Sequence, residues 1–457
     1  MEMIKKEDIK EVAHIKRLLE YCSLVPGFQE RYLKDPYGVI KEIGVDVDPM
    51  TTKFDYRNEG NLQYMEATIP GTPAEKYAKF LNNKVDMREE IKELCIPANP
   101  TMKKWRERQM GRCNMELGAK VMGLIHSPFT IELADGCSIG CEFCGLNAGR
   151  LKSVFRYTDE NAELFRDILK IAKEIMGDAA GHGTMYFASE PLDNPDYELF
   201  LKDYREILGT IPQITTAAVM RHKDRMHELL KELNEYNGHI YRFSVLSLDT
   251  VYEIMKEFTP EELVLVELLP QFEGAPQNHF VNAGRQAKDG ECDDTISCVS
   301  GFIVNMARKE IRLSTPASAS PEHPTGEYIL YTGNFTDAES FRETINMCIK
   351  KYMGFVLGPN EELRLRKNVT YDKNEEGYEI SCEKGVKYKL PIELKEGSID
   401  LVGEVFKSLS EGYKTKRQIV SGLVEKEQAL AVQSDIIFHF INKLWANGIV
   451  EVKSGLI

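Results

Sequence analysis

Between residues 127 and 270, short apolar stretches alternate with amphipathic helical patterns. We predict strands at 129–133, 185–189, 214–219, 240–246 and 263–269. We predict the helices between them at 161–176, 195–208, 222–234 and 251–257. Strands that alternate with helices of this length form βαβ units and a parallel sheet. With a further strand near 301–306, the sequence predicts an α/β fold built on an incomplete β/α barrel.

Three cysteines follow the first predicted strand at C-x3-C-x2-C spacing, namely Cys137, Cys141 and Cys144. Thiolates are the ligands of iron–sulfur clusters, and three of them leave one iron of a four-iron cluster open. The alternative is a zinc knuckle, but structural zinc sites take four ligands, usually as two separated pairs. No second Cys or His pair is visible at suitable spacing. The ligand count therefore favours a cluster.

The segment 137–145, CSIGCEFCG, resembles the cluster loop of radical SAM enzymes, including Phe143 as a cofactor contact and Gly145 after the last cysteine. The resemblance implies a partial (β/α)6 barrel. It also implies that S-adenosylmethionine binds the open iron through its amino and carboxylate groups. Glu190, in the sequence SEP, matches the acidic position of a turn that holds this amino group, although the family's glycines are absent.

Further cofactor contacts follow from the same resemblance by location only. Thr215 lies on the third predicted strand, and Arg242 and Ser244 lie on the fourth, where the superfamily contacts the ribose and the carboxylate. Glu267 lies in a segment that resembles the one packing on adenine, and a buried glutamate there would need a partner. Threonine and serine are also common in strands for structural reasons, so that alternative stays open.

Composition limits the class of protein. A chain of 457 residues is expected to form two or three domains. Its ten cysteines, three of them clustered, favour a reducing cytoplasm over a disulfide framework. No apolar run is long enough to span a membrane, and the N-terminus lacks a signal-peptide core. The net charge of −14 argues against a nucleic-acid binder, so we expect a cytoplasmic protein with neither nucleic-acid nor membrane partners.

The chain divides into regions with different patterns. Residues 1–50 predict short helices, 51–120 a linker followed by charged helices, and 121–353 the barrel. The segment 26–49 resembles helical leader segments of nitrile-hydratase-type peptide precursors. A small helical cap on the barrel is the open alternative for this segment.

The C-terminal region, 359–457, has a strand-then-helix pattern. Alternating residues at 362–392 predict antiparallel strands, and helical patterns follow. This winged-helix plan resembles the recognition element of enzymes that modify ribosomally synthesised peptides (RiPPs). DNA binding is the alternative, and the overall charge disfavours it. The resemblance implies that a leader peptide binds by strand addition beside 387–391.

A long polar loop at 270–300 carries Cys292 and Cys298. Loops of this length in compact folds are usually functional or disordered. Cys298 precedes a predicted strand at the barrel mouth, where its thiol could face a substrate. A buried, inert thiol is the alternative. Auxiliary clusters would need more short-spaced cysteines, so we predict one cluster.

The barrel segments together resemble the radical SAM amino-acid epimerases of RiPP maturation that act on proteusin-like precursors. The resemblance rests on ELADGCSIGCEFCGL, ASEPLDNPDYELFLKDYREILG, YRFSVLSL, FTPEELVLVELLP and TISCVSGFIVNM. It implies that a 5′-deoxyadenosyl radical removes the Cα hydrogen of an L-residue. A cysteine thiol on the opposite face then returns a hydrogen, which leaves a D-residue. We predict Cys298 as this donor, with Cys292 as the alternative.

The implied partners are a precursor peptide, whose leader binds the C-terminal domain, and a reducing electron donor. Two other functions stay open. Another radical SAM peptide modification, such as C–C or thioether crosslinking, would give a product lighter by two hydrogens. A non-catalytic peptide carrier would not turn over S-adenosylmethionine.

Overall fold

The computed structural model describes residues 2–50, 70–276, 281–287, 294–354, 357–391, 400–428, 430 and 434–453. Residues 51–69, in the region predicted to begin with a linker, and the candidate Cys292 lie outside these ranges. Within them, no helix combines the length and the apolar character that a membrane span requires.

The elements follow in chain order. The helices are α1 (Ile9–Leu24), α2 (Phe28–Lys34), α3 (Pro36–Ile43), α4 (Pro73–Leu94), α5 (Pro100–Leu117), α6 (Asp159–Met176), α7 (Tyr197–Leu208), α8 (Lys223–Tyr236), α9 (Leu248–Glu257), α10 (Ala338–Tyr352), α11 (Leu401–Ser410), α12 (Lys416–Lys426) and α13 (Ser434–Ala446). The strands are β1 (Ser127–Glu132), β2 (Ala134–Asp135), β3 (Ser153–Val154), β4 (Thr215–Thr216), β5 (Tyr241–Val245), β6 (Val266–Pro270), β7 (Val299–Asn305), β8 (Glu310–Pro316), β9 (Glu327–Asn334), β10 (Glu362–Leu365), β11 (Val369–Asn374), β12 (Gly377–Cys382), β13 (Lys387–Pro391), β14 (Lys414–Thr415) and β15 (Val450–Val452).

The parallel strands of the β/α region lie in two sheets, one of which continues from β7 into the antiparallel strands β8 and β9. β1 pairs with β7, and β4, β5 and β6 pair in that order. Thr184 joins the two sheets: it forms a parallel bridge with Gln213, and its carbonyl oxygen accepts the N–H of Ile131 at 3.0 Å. Helices α6 to α9 lie between the strands, close to their predicted bounds. The predicted α/β fold is therefore confirmed.

The β/α region differs from the prediction at two of its strands. The strand predicted at 185–189 does not form, and only the single bridge at Thr184 lies near it. In this segment the N–H of Ala188 donates to the Glu132 carboxylate at 2.7 Å and not to a neighbouring strand. The predicted sixth strand forms as β7, but it pairs with β1 and not with β6. Periodicity identifies a strand, whereas its neighbour depends on long-range contacts that the pattern does not contain.

The N-terminal helices pack against the barrel in one continuous hydrophobic core. Arg17 of α1 donates to the carbonyl oxygens of Met255 and Phe258 at 2.8 and 2.9 Å. Lys16 donates to that of Leu263 at 3.0 Å. All three acceptors precede β6, so α1 covers the end of the barrel at which this strand begins.

Helix α5 belongs to two cores. It starts at Pro100 after Asn99, whose side chain accepts the N–H groups of the first turn, as expected for an N-cap. Trp105 packs in the barrel core and Met115 packs in the C-terminal core. The helix therefore links the two domains through its buried residues.

The C-terminal domain has antiparallel strands followed by three helices. β11, β12 and β13 form one sheet in that order, and β14, β10 and β15 form another. Helices α11, α12 and α13 supply Phe406, Leu423 and Ile441 to the core of the domain.

Candidate active site

The cysteine loop follows β1 and closes on itself. The N–H of Cys137 donates to the carbonyl oxygen of Gly149 at 2.9 Å, and the N–H of Leu151 donates to that of Cys137 at 3.2 Å. The N–H of Ser138 also donates to the Asp193 carboxylate at 2.8 Å. These hydrogen bonds fix the backbone of the loop.

The three thiols in this loop are partly exposed. Sγ of Cys144 accepts the N–H of Ala148 at 3.3 Å. The hydrogen bond from Cys141 lowers the pKa of Cys144. Phe143 lies between Cys141 and Cys144 in the sequence and is half-buried. In the described ranges, no three His, Cys, Asp or Glu side chains lie close enough to hold one metal ion. The donor set of Cys137, Cys141 and Cys144 fits a cluster with separate corner irons.

The cysteine loop folds back onto β7. Leu146 packs with Val299 and Ile303 of β7 in a hydrophobic cluster separate from the main core. Phe302 and Val304, the alternating residues of the same strand, belong to the main core. Leu146 therefore lies on the face of β7 that is turned away from the main core.

Cys298 directly precedes β7, and its carbonyl oxygen accepts the N–H of Ser127 at 2.9 Å. Because β7 runs parallel to β1, this cysteine lies at the end where β1 begins. The predicted role of Cys298 as a hydrogen donor stays a prediction. Burial raises the pKa of the Cys298 thiol, while Arg242 lowers it and Glu327 raises it further. The thiol thus keeps its proton at neutral pH.

Glu190 is buried and holds two turns together. Its carboxylate accepts the N–H of Leu192 at 3.2 Å, the Thr216 hydroxyl at 2.6 Å and the N–H of Ala217 at 3.0 Å. Burial raises the pKa of Glu190, and these hydrogen bonds act in the opposite direction. Since Ala217 directly follows β4, the contacts lie at a C-terminal strand end, where parallel barrels place their chemistry.

Thr215, Arg242 and Glu267 stand in register across β4, β5 and β6. Arg242 donates to the Glu267 carboxylate at 3.3 Å, and Lys84 of α4 lies 2.5 Å from its other oxygen. Burial raises the pKa of Glu267, but these two cations outweigh it and the pKa is lowered. Ser244 shares the face of Arg242, two residues nearer the C-terminal end. Thr215, Arg242 and Glu267 lie near the start of their strands, whereas the cysteine loop follows the end of β1.

The comparison with protein families agrees with this geometry. Residues 131–266 match the family model of the radical SAM superfamily, a range that includes the cysteine loop. A protein of Sinorhizobium fredii (strain NBRC 101917 / NGR234), named uncharacterized protein y4wI, is 32% identical over 384 residues. The alignment covers 80% of this chain and 75% of that protein.

This chain contains a domain of the radical SAM superfamily. It is accordingly a radical SAM enzyme, and its cofactors are a [4Fe–4S] cluster and S-adenosylmethionine.

Among solved structures, the chain is similar to the crystal structure of BtrN in complex with AdoMet and 2-DOIA. The identity is 16% and the TM-score is 0.29, over 40% of this chain and 71% of that chain. A similarity of this size carries no weight for the fold or the function.

The sequence did not single out two residues of this radical SAM site. Glu132 at the end of β1 is buried, and its carboxylate also accepts the Asn305 amide at 3.3 Å. An acidic residue in the otherwise apolar stretch PFTIEL was the available signal. Arg285 contacts the cysteine loop, and because it comes from the long polar loop, no local pattern marks it.

Proposed function

We propose that this radical SAM enzyme is an epimerase that converts L- into D-amino-acid residues in a ribosomally synthesised precursor peptide. The observation that carries the proposal is the placement of a second, non-cluster thiol. The cysteine loop begins where β1 ends and folds back onto β7, and Cys298 lies where β1 begins. A substrate between them could lose a hydrogen on one side and gain one on the other.

The proposed cluster ligands are Cys137, Cys141 and Cys144. When bound, the cluster and S-adenosylmethionine supply a radical that removes a hydrogen atom from a substrate carbon. The chain supplies position: the loop presents the three donors, and Glu190 fixes the turn at the end of β4 beside which the cofactor's amino group is proposed to lie.

Cys298 is the proposed hydrogen donor. Its S–H bond breaks and a C–H bond forms at the Cα that has lost its hydrogen, on the face opposite the loss. A sulfur radical remains, and one electron and one proton from the reducing partner restore the thiol. A thiolate has no hydrogen atom to give, so the raised pKa of this thiol supports the role.

The leader of the peptide is proposed to bind at β13. This strand is at the edge of the β11-β12-β13 sheet, and no other described strand pairs with its outer side. An extended peptide can add to such an edge through main-chain hydrogen bonds.

A cavity of about 330 Å³ lies where the C-terminal domain meets the barrel. Two edge strands line it, β9 through Tyr328 and β15 through Val450 and Val452. Arg108 and Arg366 also line the cavity. We assign this space to the extended peptide chain between the leader and the modified residue.

Replacement of the proposed donor tests the function. Cys298→Ala is expected to cleave S-adenosylmethionine in the presence of precursor but to form no D-residue. Cys95→Ala is the matched control, because Cys95 is a fully buried core thiol and should be dispensable. Wild-type epimerisation by Cys298→Ala would contradict the assignment. A wild-type product lighter by two hydrogens would indicate crosslinking, and a lack of cofactor turnover would indicate a carrier.

A further inference from the structure

Arg285 lies between β6 and β7 and makes several contacts with the cysteine loop. Its own N–H donates to the carbonyl oxygen of Cys144 at 2.9 Å. Its guanidinium donates to the carbonyl oxygens of Cys141 at 3.0 Å and Ala148 at 2.6 Å, and to the Asn147 side chain at 3.3 Å. Arg285 thus contacts the cysteine loop from Cys141 to Ala148.

The backbone beside Arg285 lies directly on the loop. Gly284 has a φ of +58°, and a Cβ added there would stand 2.3 Å from the carbonyl oxygen of Gly145 and 2.6 Å from that of Cys144. Its N–H donates to the carbonyl oxygen of Pro324 at 2.7 Å. Only glycine allows this approach, so the position of Arg285 is set by the backbone and not by a flexible side chain alone.

The guanidinium charge lies against the cysteine loop. Nε of Arg285 donates to the carbonyl oxygen of Cys141 at 3.0 Å, and Nη1 donates to that of Ala148 at 2.6 Å. A positive charge therefore stands beside the backbone that carries the proposed cluster ligands.

We propose that Arg285 is a positioning residue for the cluster. Its hydrogen-bond donors fix the cysteine loop, and its positive charge raises the reduction potential of the cluster. Reduction adds one negative charge, which a nearby cation stabilises. The inference rests on the proposed cluster ligands and is independent of the epimerase activity.

The test is a redox titration of the anaerobically reconstituted full-length enzyme, followed by electron paramagnetic resonance, without peptide. Iron content is measured on the same samples. Arg285→Gln removes the charge, and Arg285→Lys keeps the charge without the forked donors. Arg342→Gln is the matched control, since it removes the charge of an arginine that pairs with Glu174 on the outside of the barrel. Because Arg285 is exposed on one side, low ionic strength gives the largest effect.

Arg285→Gln is expected to shift the midpoint potential to more negative values, while Arg285→Lys and Arg342→Gln stay at the wild-type value. If Arg285→Gln loses its iron, a wild-type potential in Arg285→Lys still supports the proposal. A wild-type potential in Arg285→Gln overturns it, as does an equal shift in Arg285→Lys. Loss of iron from both Arg285 variants also overturns it, because the residue would then serve loop folding only. Iron-free wild type would instead refute the cluster assignment itself.

Discussion

His126 makes the fold sensitive to acid. It directly precedes β1, has a φ of +53°, and is 2% exposed. Its Nδ1 lies 2.8 Å from the Ser300 hydroxyl, and its carbonyl oxygen accepts the Arg106 Nε–H at 2.7 Å. Burial lowers its pKa to about 3, with Arg106 as the next cause, so the imidazole is neutral in the folded chain at any ordinary pH.

The loss of stability at low pH follows from proton linkage. The unfolded chain protonates this histidine near its ordinary pKa of about 6.5, whereas the folded chain does not until about pH 3. Stability is therefore lost as the pH falls below about 6.5. At pH 5.5 the protonated imidazole outnumbers the neutral one by about ten to one in the unfolded chain. This lowers the free energy of unfolding by about 1.4 kcal/mol.

His126→Asn isolates this contribution. Asparagine tolerates a positive φ and can still bond to Ser300, but it does not titrate. Urea unfolding of both proteins at pH 7.5 and 5.5 should show a loss about 1.4 kcal/mol larger in the wild type. His239, also buried, with a pKa lowered to about 4, stays in both proteins and cancels in the comparison. Equal losses in the two proteins would refute the reasoning.

The remaining predictions concern the cofactors and the peptide. Alanine at all three loop cysteines should abolish iron binding and the brown absorption, and a variant with a full four-iron complement would contradict the assignment. Glu190→Gln should weaken S-adenosylmethionine binding in calorimetry without loss of the cluster. The same substitution should lower the free energy of unfolding by about 1–3 kcal/mol, because an amide nitrogen cannot accept a hydrogen bond from the surrounding N–H groups. Unchanged affinity for S-adenosylmethionine would assign the cofactor contact to another residue. Deletion of 359–457 should lower the affinity for full-length precursor and leave basal cofactor cleavage unchanged, and equal binding by the shortened enzyme would argue against a leader site there.

The sequence predicted the parts of the barrel whose signals are local. The spacing of the loop cysteines and the β/α alternation depend on neighbouring residues, and both appear in the structure. The amphipathic helix α6 begins after Thr158, whose hydroxyl accepts the N–H of Asn161, as expected for an N-cap. Such features need no knowledge of distant contacts.

Long-range pairing could not be predicted in the same way. The strand that follows Cys298, β7, pairs with β1, and nothing near residue 298 encodes that partner. Glu267 was expected to need a partner, and Lys84, far away in the sequence, is one. Arg285 reaches the cysteine loop across more than a hundred residues of chain. These contacts arise from the fold as a whole.

The most direct test of the proposed epimerase is conversion of a candidate precursor peptide in D2O, followed by mass spectrometry and chiral analysis of the hydrolysed product. The thiol hydrogen exchanges with solvent, so each D-residue should carry one deuterium at Cα, and Cys298→Ala should yield none. D-residues without deuterium would contradict return of hydrogen from an exchangeable thiol. A product that contains only L-residues would contradict the epimerase itself.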